Sequence, residues 1–240
     1  MSNDFLRNNS GKTINIGDIF GTHINSGSKG DIFYYKILDM ILRNELKPGD
    51  RILEDEMAAK YEISRTPVRD AFRRLAADGL ITIYPKRYAE ITRFSPESVH
   101  QLGIMRLSND ILAGRLAIYK GSDADFKTMR RLAEMCEEFA ESGDFYDGTL
   151  ADCKFHLIIS EIGENPLLIK MQNSIYLRVH LLQQQNLLFK MDQASRMAHH
   201  GAILEAFEHR DPDAYVNLIC RRYQKVYGLD DEIVRQYLPR

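Results

Sequence analysis

The chain lacks what a secreted or membrane-spanning protein carries. No apolar run in its 240 residues approaches the ~20 needed to cross a bilayer. No apolar signal-peptide core follows Met1, so a cytoplasmic protein with no membrane partner is expected. Cysteine is scarce. Cys136, Cys153 and Cys220 stand far apart with no CxxC, and read as structural thiols of a reducing compartment. Net charge is nearly absent, at −2, which does not suit a nucleic-acid binder taken as a whole. Internal repeats and low-complexity segments are missing too. No nucleophile is paired with a base, so an enzyme is not expected. What remains is 44% hydrophobic content, enough for a real core, in one large domain or two modest ones.

The richest stretch runs from Glu54 to Leu80 and predicts two short helices joined by a tight turn. The second opens at Ser64, a good N-cap residue, with Pro67 early where a missing N–H costs little. Val68, Phe72 and Leu75 follow i, i+4, i+7 and make an apolar stripe. Arg65, Arg69 and Arg73 keep the same spacing on a neighbouring face. Such a helix can pack on one side and offer guanidinium groups to a DNA major groove on the other. On its own the stripe could equally be a solvated surface. The flanking elements decide between them. Phe33–Arg43 predicts a first helix, ending before Lys47-Pro48-Gly49. Leu80–Tyr84 and Ala89–Thr92 predict two strands around Pro85-Lys86-Arg87. Helix, helix, recognition helix and basic wing make a winged helix–turn–helix. Dividing the chain also resolves the charge. Lys60–Arg74 carries five cations and two acids, a local stripe in an otherwise acidic molecule.

LKPGDRI, ISRTPVRDAFRRLAADGLI and IYPKR resemble the DNA-binding domain of GntR-family bacterial transcription regulators, over about residues 31–93. The resemblance implies base and phosphate contacts by Ser64, Arg65, Thr66 and Arg69, with Arg73 on the same stripe and Lys86 and Arg87 of the wing near the minor groove. Two positions depart from the family pattern. Tyr88 stands where a glycine usually follows the basic pair, and Asp55 stands where some members place a phosphate-binding arginine.

Residues 1–30, rich in Asn, Gly and Ser, read as an arm, disordered at first and with a small hairpin over Lys12–Ile16 and Thr22–Asn25. After the wing, Ser95-Pro96 opens a helical region. Helices are expected at about 96–120, 123–142, 147–163, 166–189, 192–209 and 212–228, with a short piece near 231–238. The expected fold is therefore mainly α. A winged helix–turn–helix over 31–93 precedes an all-α antiparallel bundle over 94–240, with clefts where a small molecule can lie.

Three features of the bundle could carry chemistry. Asp152 and His156 lie at i, i+4 on one helix face and can address one cation, or can form a surface ion pair. Ala198–Ile203 brings His199 and His200 onto another helix. Arg106 has Asp110 one turn later and could simply pair with it. In order and wording, these segments resemble the effector domain of the FadR branch of GntR regulators, an FCD-like domain that often holds a metal by an Asp and three His. That resemblance implies Asp152, His156 and His200 as ligands of a divalent ion such as Zn²⁺ or Ni²⁺, with no other cofactor. The place of the fourth ligand falls on Arg222. A guanidinium cannot ligate a metal. Either three protein ligands remain and an effector carboxylate completes the shell, or the metal is lost and Arg222 with Arg106 grips an anion directly. The second is slightly favoured. Both imply a small anionic effector touching Arg106, Asp152, His156, His200 and Arg222.

The expectation is a homodimeric transcription regulator that binds a double-stranded DNA operator and answers to a small carboxylate. The alternatives are a regulator with no effector, and a metal-dependent enzyme using Asp152, His156 and His200.

Overall fold

A computed structural model describes residues 28–184 and 193–239. Residues 1–27 of the expected arm, and the stretch 185–192 that joins two expected bundle helices, lie outside that range. The chain divides into two compact units, one ending at Arg93 and the other beginning at Phe94.

In the first unit, helix α1 (Lys29–Leu42) starts four residues before Phe33. Ser28 explains the early start. Its Oγ accepts from the Asp31 N–H at 3.2 Å, and the Asp31 carboxylate accepts from the Ser28 N–H at 2.7 Å, a reciprocal cap. Strand β1 (Arg51–Ile52) leads into α2 (Glu54–Lys60) and α3 (Arg65–Ala77). Strands β2 (Ile81–Tyr84) and β3 (Tyr88–Ile91) follow. Both α1 and α2 pack against α3, whose Val68, Phe72 and Leu75 are buried as their spacing predicts. At the end of α3, Gly79 takes a left-handed φ of +73°. The Leu80 N–H can then turn back to the Leu75 carbonyl at 2.9 Å, closing the helix and launching β2.

The sheet has three strands in the order β1-β3-β2, all antiparallel. The sequence predicts only two. With two residues, β1 is too short to show an alternating pattern, and it is revealed by its pairing of Arg51 with Glu90 and Ile52 with Ala89. A second correction concerns Ser64. It occupies the N-cap position of α3, but its side chain makes no capping bond.

The second unit holds α4 (Pro96–Lys120), α5 (Asp123–Ser142), α6 (Phe145–Ile162), α7 (Pro166–Gln184), α8 (Gln193–Glu208), α9 (Pro212–Tyr227) and α10 (Asp231–Arg235). The starts follow the sequence signals: Ser95 and Ser122 form capping boxes, and Asp211 accepts from the Asp213 and Ala214 N–H groups. Helix α6 starts at Phe145 rather than 147 because Asp144 caps it. Helix α10 stops at Arg235, short of the expected 238.

Helix α4 is the spine of this unit, packed against α6 and α9. A Cβ built on Gly114 would lie 1.9 Å from the Tyr215 ring, and one on Gly103 would lie 2.4 Å from the Tyr227 Cβ. Glycine at these two places lets α9 run antiparallel and close along α4.

Candidate nucleic-acid interface and buried donor cluster

The arginine stripe of α3 is set by helical geometry. With Val68, Ala71, Phe72 and Leu75 buried, the adjoining face must look outward. The side chains of Arg65, Arg69 and Arg73 are 66%, 51% and 69% exposed. Ser64, Thr66, Lys86 and Arg87 are exposed as well. Arg74, on the next face, does structural work instead. It pairs with Asp31 and stacks on Tyr34 at 4.2 Å.

Recognition helix and wing line one concave surface of about 510 Å³, which Arg65, Arg69, Arg73, Lys86 and Arg87 all border. The wing turns through Lys86, whose φ of +60° is the left-handed one. Tyr88 already stands in strand, paired with Tyr84, so glycine is not required there. Its ring packs on Tyr84 at 4.9 Å and under the Arg51 guanidinium at 4.4 Å. Acids of α2 border the same surface. Arg65 meets Asp55 at 2.8 Å, and Arg69 meets Glu54 at 3.0 Å. Arg73 has a looser contact, 3.7 Å, with Asp70. These exposed pairs are weak and salt-screened, so a phosphate or base edge can take the arginines over.

In the second unit the close approach of α4, α7 and α9 encloses a polar network. Arg106 and Asp110 are buried and 3.3 Å apart. Asp110 also accepts from Gln172 at 2.6 Å, from Tyr176 at 2.9 Å and from Tyr223. Arg106 donates to the Tyr227 hydroxyl at 2.7 Å and the Tyr176 hydroxyl at 3.1 Å. Burial opposes its charge, yet Tyr176, Tyr223, Tyr227 and Asp110 together hold its pKa well above the ordinary value. All three kinds of guanidinium nitrogen are thereby engaged within the protein. The sequence pairs Arg106 with Asp110 but gives no sign of the tyrosines and glutamine, which are remote in the chain.

Tyr176 links this network to the donor cluster, its ring stacked on His156 at 5.6 Å. Asp152 and His156 on α6 and His200 on α8 are all buried, and each offers a ligand atom within 4.8 Å of the others. His200 Nε2 lies 3.1 Å from Asp152 Oδ1. Two donors bound to one ion at about 2.1 Å, at right angles to tetrahedral, are about 3.0–3.4 Å apart. Neither nitrogen of His200 has hydrogen-bond geometry to a partner among the described residues. Burial opposes ionisation of Asp152, but His200 and His156 hold its carboxyl well below the usual range. Burial likewise keeps His156 neutral. An anionic carboxylate and a neutral imidazole, as at Asp152 and His156, are the forms that bind a metal. The three residues thus fit a divalent ion.

Arg222, on α9, is partly buried, and that burial lowers its pKa while Asp152 opposes the shift. Its charge is felt at His156 and His199. His199 itself is buried, and its Nε2 has no hydrogen-bond partner among the described residues. The sequence places it on the right helix but does not separate its role from that of His200. No helix among the described residues is long and apolar enough to cross a membrane.

Comparison with known proteins agrees with both units. The model of bacterial regulatory proteins of the gntR family matches residues 33–90, and that of the FCD domain matches residues 106–225. The Nta operon transcriptional regulator of Aminobacter aminovorans is 26% identical over 200 residues, covering 82% of this chain and 91% of its own. The HTH-type transcriptional repressor RspR of Escherichia coli K12 is 24% identical over 206 residues, 84% of this chain and 87% of its own. A GntR protein from Rhodococcus sp. RHA1 shares the fold at TM-score 0.73 and 18% identity, over 88% of this chain and 100% of that one. E. coli McbR/YncC does so at TM-score 0.70 and 20% identity, over 88% and 99%. The chain belongs to the GntR family of bacterial regulatory proteins, as a DNA-binding transcriptional regulator whose second unit is an FCD domain.

Proposed function

We propose that this regulator's affinity for DNA is set by a small carboxylate bound in the helical unit beside Asp152, His156, His200 and Arg222. The observation that carries the reading is the buried cluster of Asp152, His156 and His200, together with a partly buried Arg222 guanidinium whose charge is felt at His156. Metal and arginine together make an excess of positive charge in a place poor in water, and an anion relieves it. The cluster favours the branch in which a metal is retained. Asp152, His156 and His200 would hold the ion, which when bound supplies a Lewis-acidic contact for the carboxylate. Arg222 would orient the same anion. Arg106 would act from below, holding Tyr176 and Asp110 in place rather than gripping the ligand.

On the DNA side, Ser64, Arg65, Thr66, Arg69 and Arg73 would contact bases and phosphates, and Lys86 and Arg87 would contact the flanking backbone. Two copies of the chain would read a near-palindrome with half-sites about one helical turn apart. The effector would alter DNA affinity only to the extent that it binds the two states of the regulator differently.

The test is a binding titration on a duplex selected from a random pool, repeated with a panel of sugar acids and other organic acids, before and after metal removal by chelation. A shift in midpoint with at least one acid, lost on chelation, is expected. Binding indifferent to every acid would favour a regulator without an effector.

A further inference from the structure

We propose that His199 is a fourth protein donor to the ion held by Asp152, His156 and His200, a role that rests on the metal reading above.

His199 is buried and its Nε2 has no hydrogen-bond partner among the described residues. A buried imidazole nitrogen left unpaired is a standing cost that folded proteins rarely accept without a purpose. Its ring centroid lies 6.2 Å from that of His156 and 6.4 Å from that of His200. Within the cluster, the His156 and His200 rings are 5.5 Å apart. Imidazoles bound through nitrogen to one ion at about 2.1 Å, spread by 110–120°, have centroids about 5–6 Å apart. Both His199 separations exceed that range by less than about an ångström. Its nitrogens stand outside the set of donor atoms that Asp152, His156 and His200 bring within 4.8 Å of one another, so the role requires the His199 ring to turn inward as the ion binds. Arg222 cannot supply the donor, because a guanidinium has no lone pair to give. A neutral imidazole in position 199 can.

The test uses the full-length protein stripped of metal and titrated with Zn²⁺ against a chromophoric chelator, and separately with Co²⁺ followed by visible absorption. His199→Gln should weaken Zn²⁺ binding about 10- to 100-fold and alter the Co²⁺ bands, whereas Arg222→Ala should leave the Zn²⁺ affinity undiminished. Wild-type affinity together with an unchanged Co²⁺ spectrum in His199→Gln would overturn the assignment. Pulsed electron paramagnetic resonance of the Cu²⁺-loaded wild type counts bound imidazoles without relying on any variant: three support the proposal, two refute it. Failure of the wild type to take up stoichiometric Zn²⁺, or a His156→Ala variant that binds as well as wild type, would remove the underlying metal site as well, so the two readings fail separately.

Discussion

Arg69 donates both Nε and Nη2 to a single oxygen of Glu54, Oε2, at 3.1 and 3.0 Å. Helix α2 thus sets the Glu54 carboxylate against an arginine of α3 proposed to meet DNA, and Asp55 does the same for Arg65. A phosphate can displace an exposed carboxylate, but the displaced carboxylate remains nearby and repels it. Glu54→Gln should therefore tighten binding a few-fold to selected and random duplexes alike at low salt, with the gain shrinking as salt rises. Fluorescence anisotropy over a salt series measures this. Weaker binding by the variant would mean that Glu54 positions Arg69 instead of competing for it.

Base contacts and backbone contacts should separate by their dependence on sequence. Arg65→Ala or Arg69→Ala should cost about 5- to 150-fold on the selected duplex and much less on random DNA. Lys86→Ala should weaken both alike and reduce the salt slope by about one. Equal losses on both duplexes for the α3 variants would reassign those arginines to phosphate.

The Asp110 network should matter most for stability. Asp110→Ala leaves the Arg106 guanidinium buried without its anion, and about 3–5 kcal/mol of unfolding free energy should be lost. Tyr223→Phe removes one hydrogen bond to the same carboxylate and should cost about 1 kcal/mol. Urea unfolding compares the two. Similar small losses would indicate that the tyrosine hydroxyls alone can support Arg106.

Arg222→Ala should leave affinity for the selected duplex intact while abolishing the response to the active organic acid. The titration described above gives both numbers for one preparation. An undiminished response would exclude Arg222 from the ligand's surroundings.

Much of this molecule is legible from local patterns. Val68, Phe72 and Leu75 at helical spacing announce the buried face of α3, and the placement of the arginines on the adjoining face follows from 3.6 residues per turn. Ser95-Pro96, Ser122 and Asp211-Pro212 mark helix starts because capping chemistry is local. The i, i+4 pair of Asp152 and His156 is equally local. The failures are also physical. Strand β1 is defined by its partner and not by its own two residues. Ser64 has the right identity for a cap but makes no capping bond with its side chain, since composition sets a preference and not a contact.

The sequence by itself determined the identity and order of the helices, the winged helix–turn–helix and the outward arginine face, because these depend on residues within a few turns of one another. Only the tertiary structure decided that Glu54 and Asp55 hold the arginines of α3, that Arg106 is committed to Asp110 and three tyrosines, and that His200 meets Asp152. Apart from Arg106 and Asp110, one helical turn apart, those relations join residues separated by 10 to 121 positions. They arise from which faces pack together, as where glycines 103 and 114 admit α9 against α4. A one-dimensional pattern carries no record of that choice.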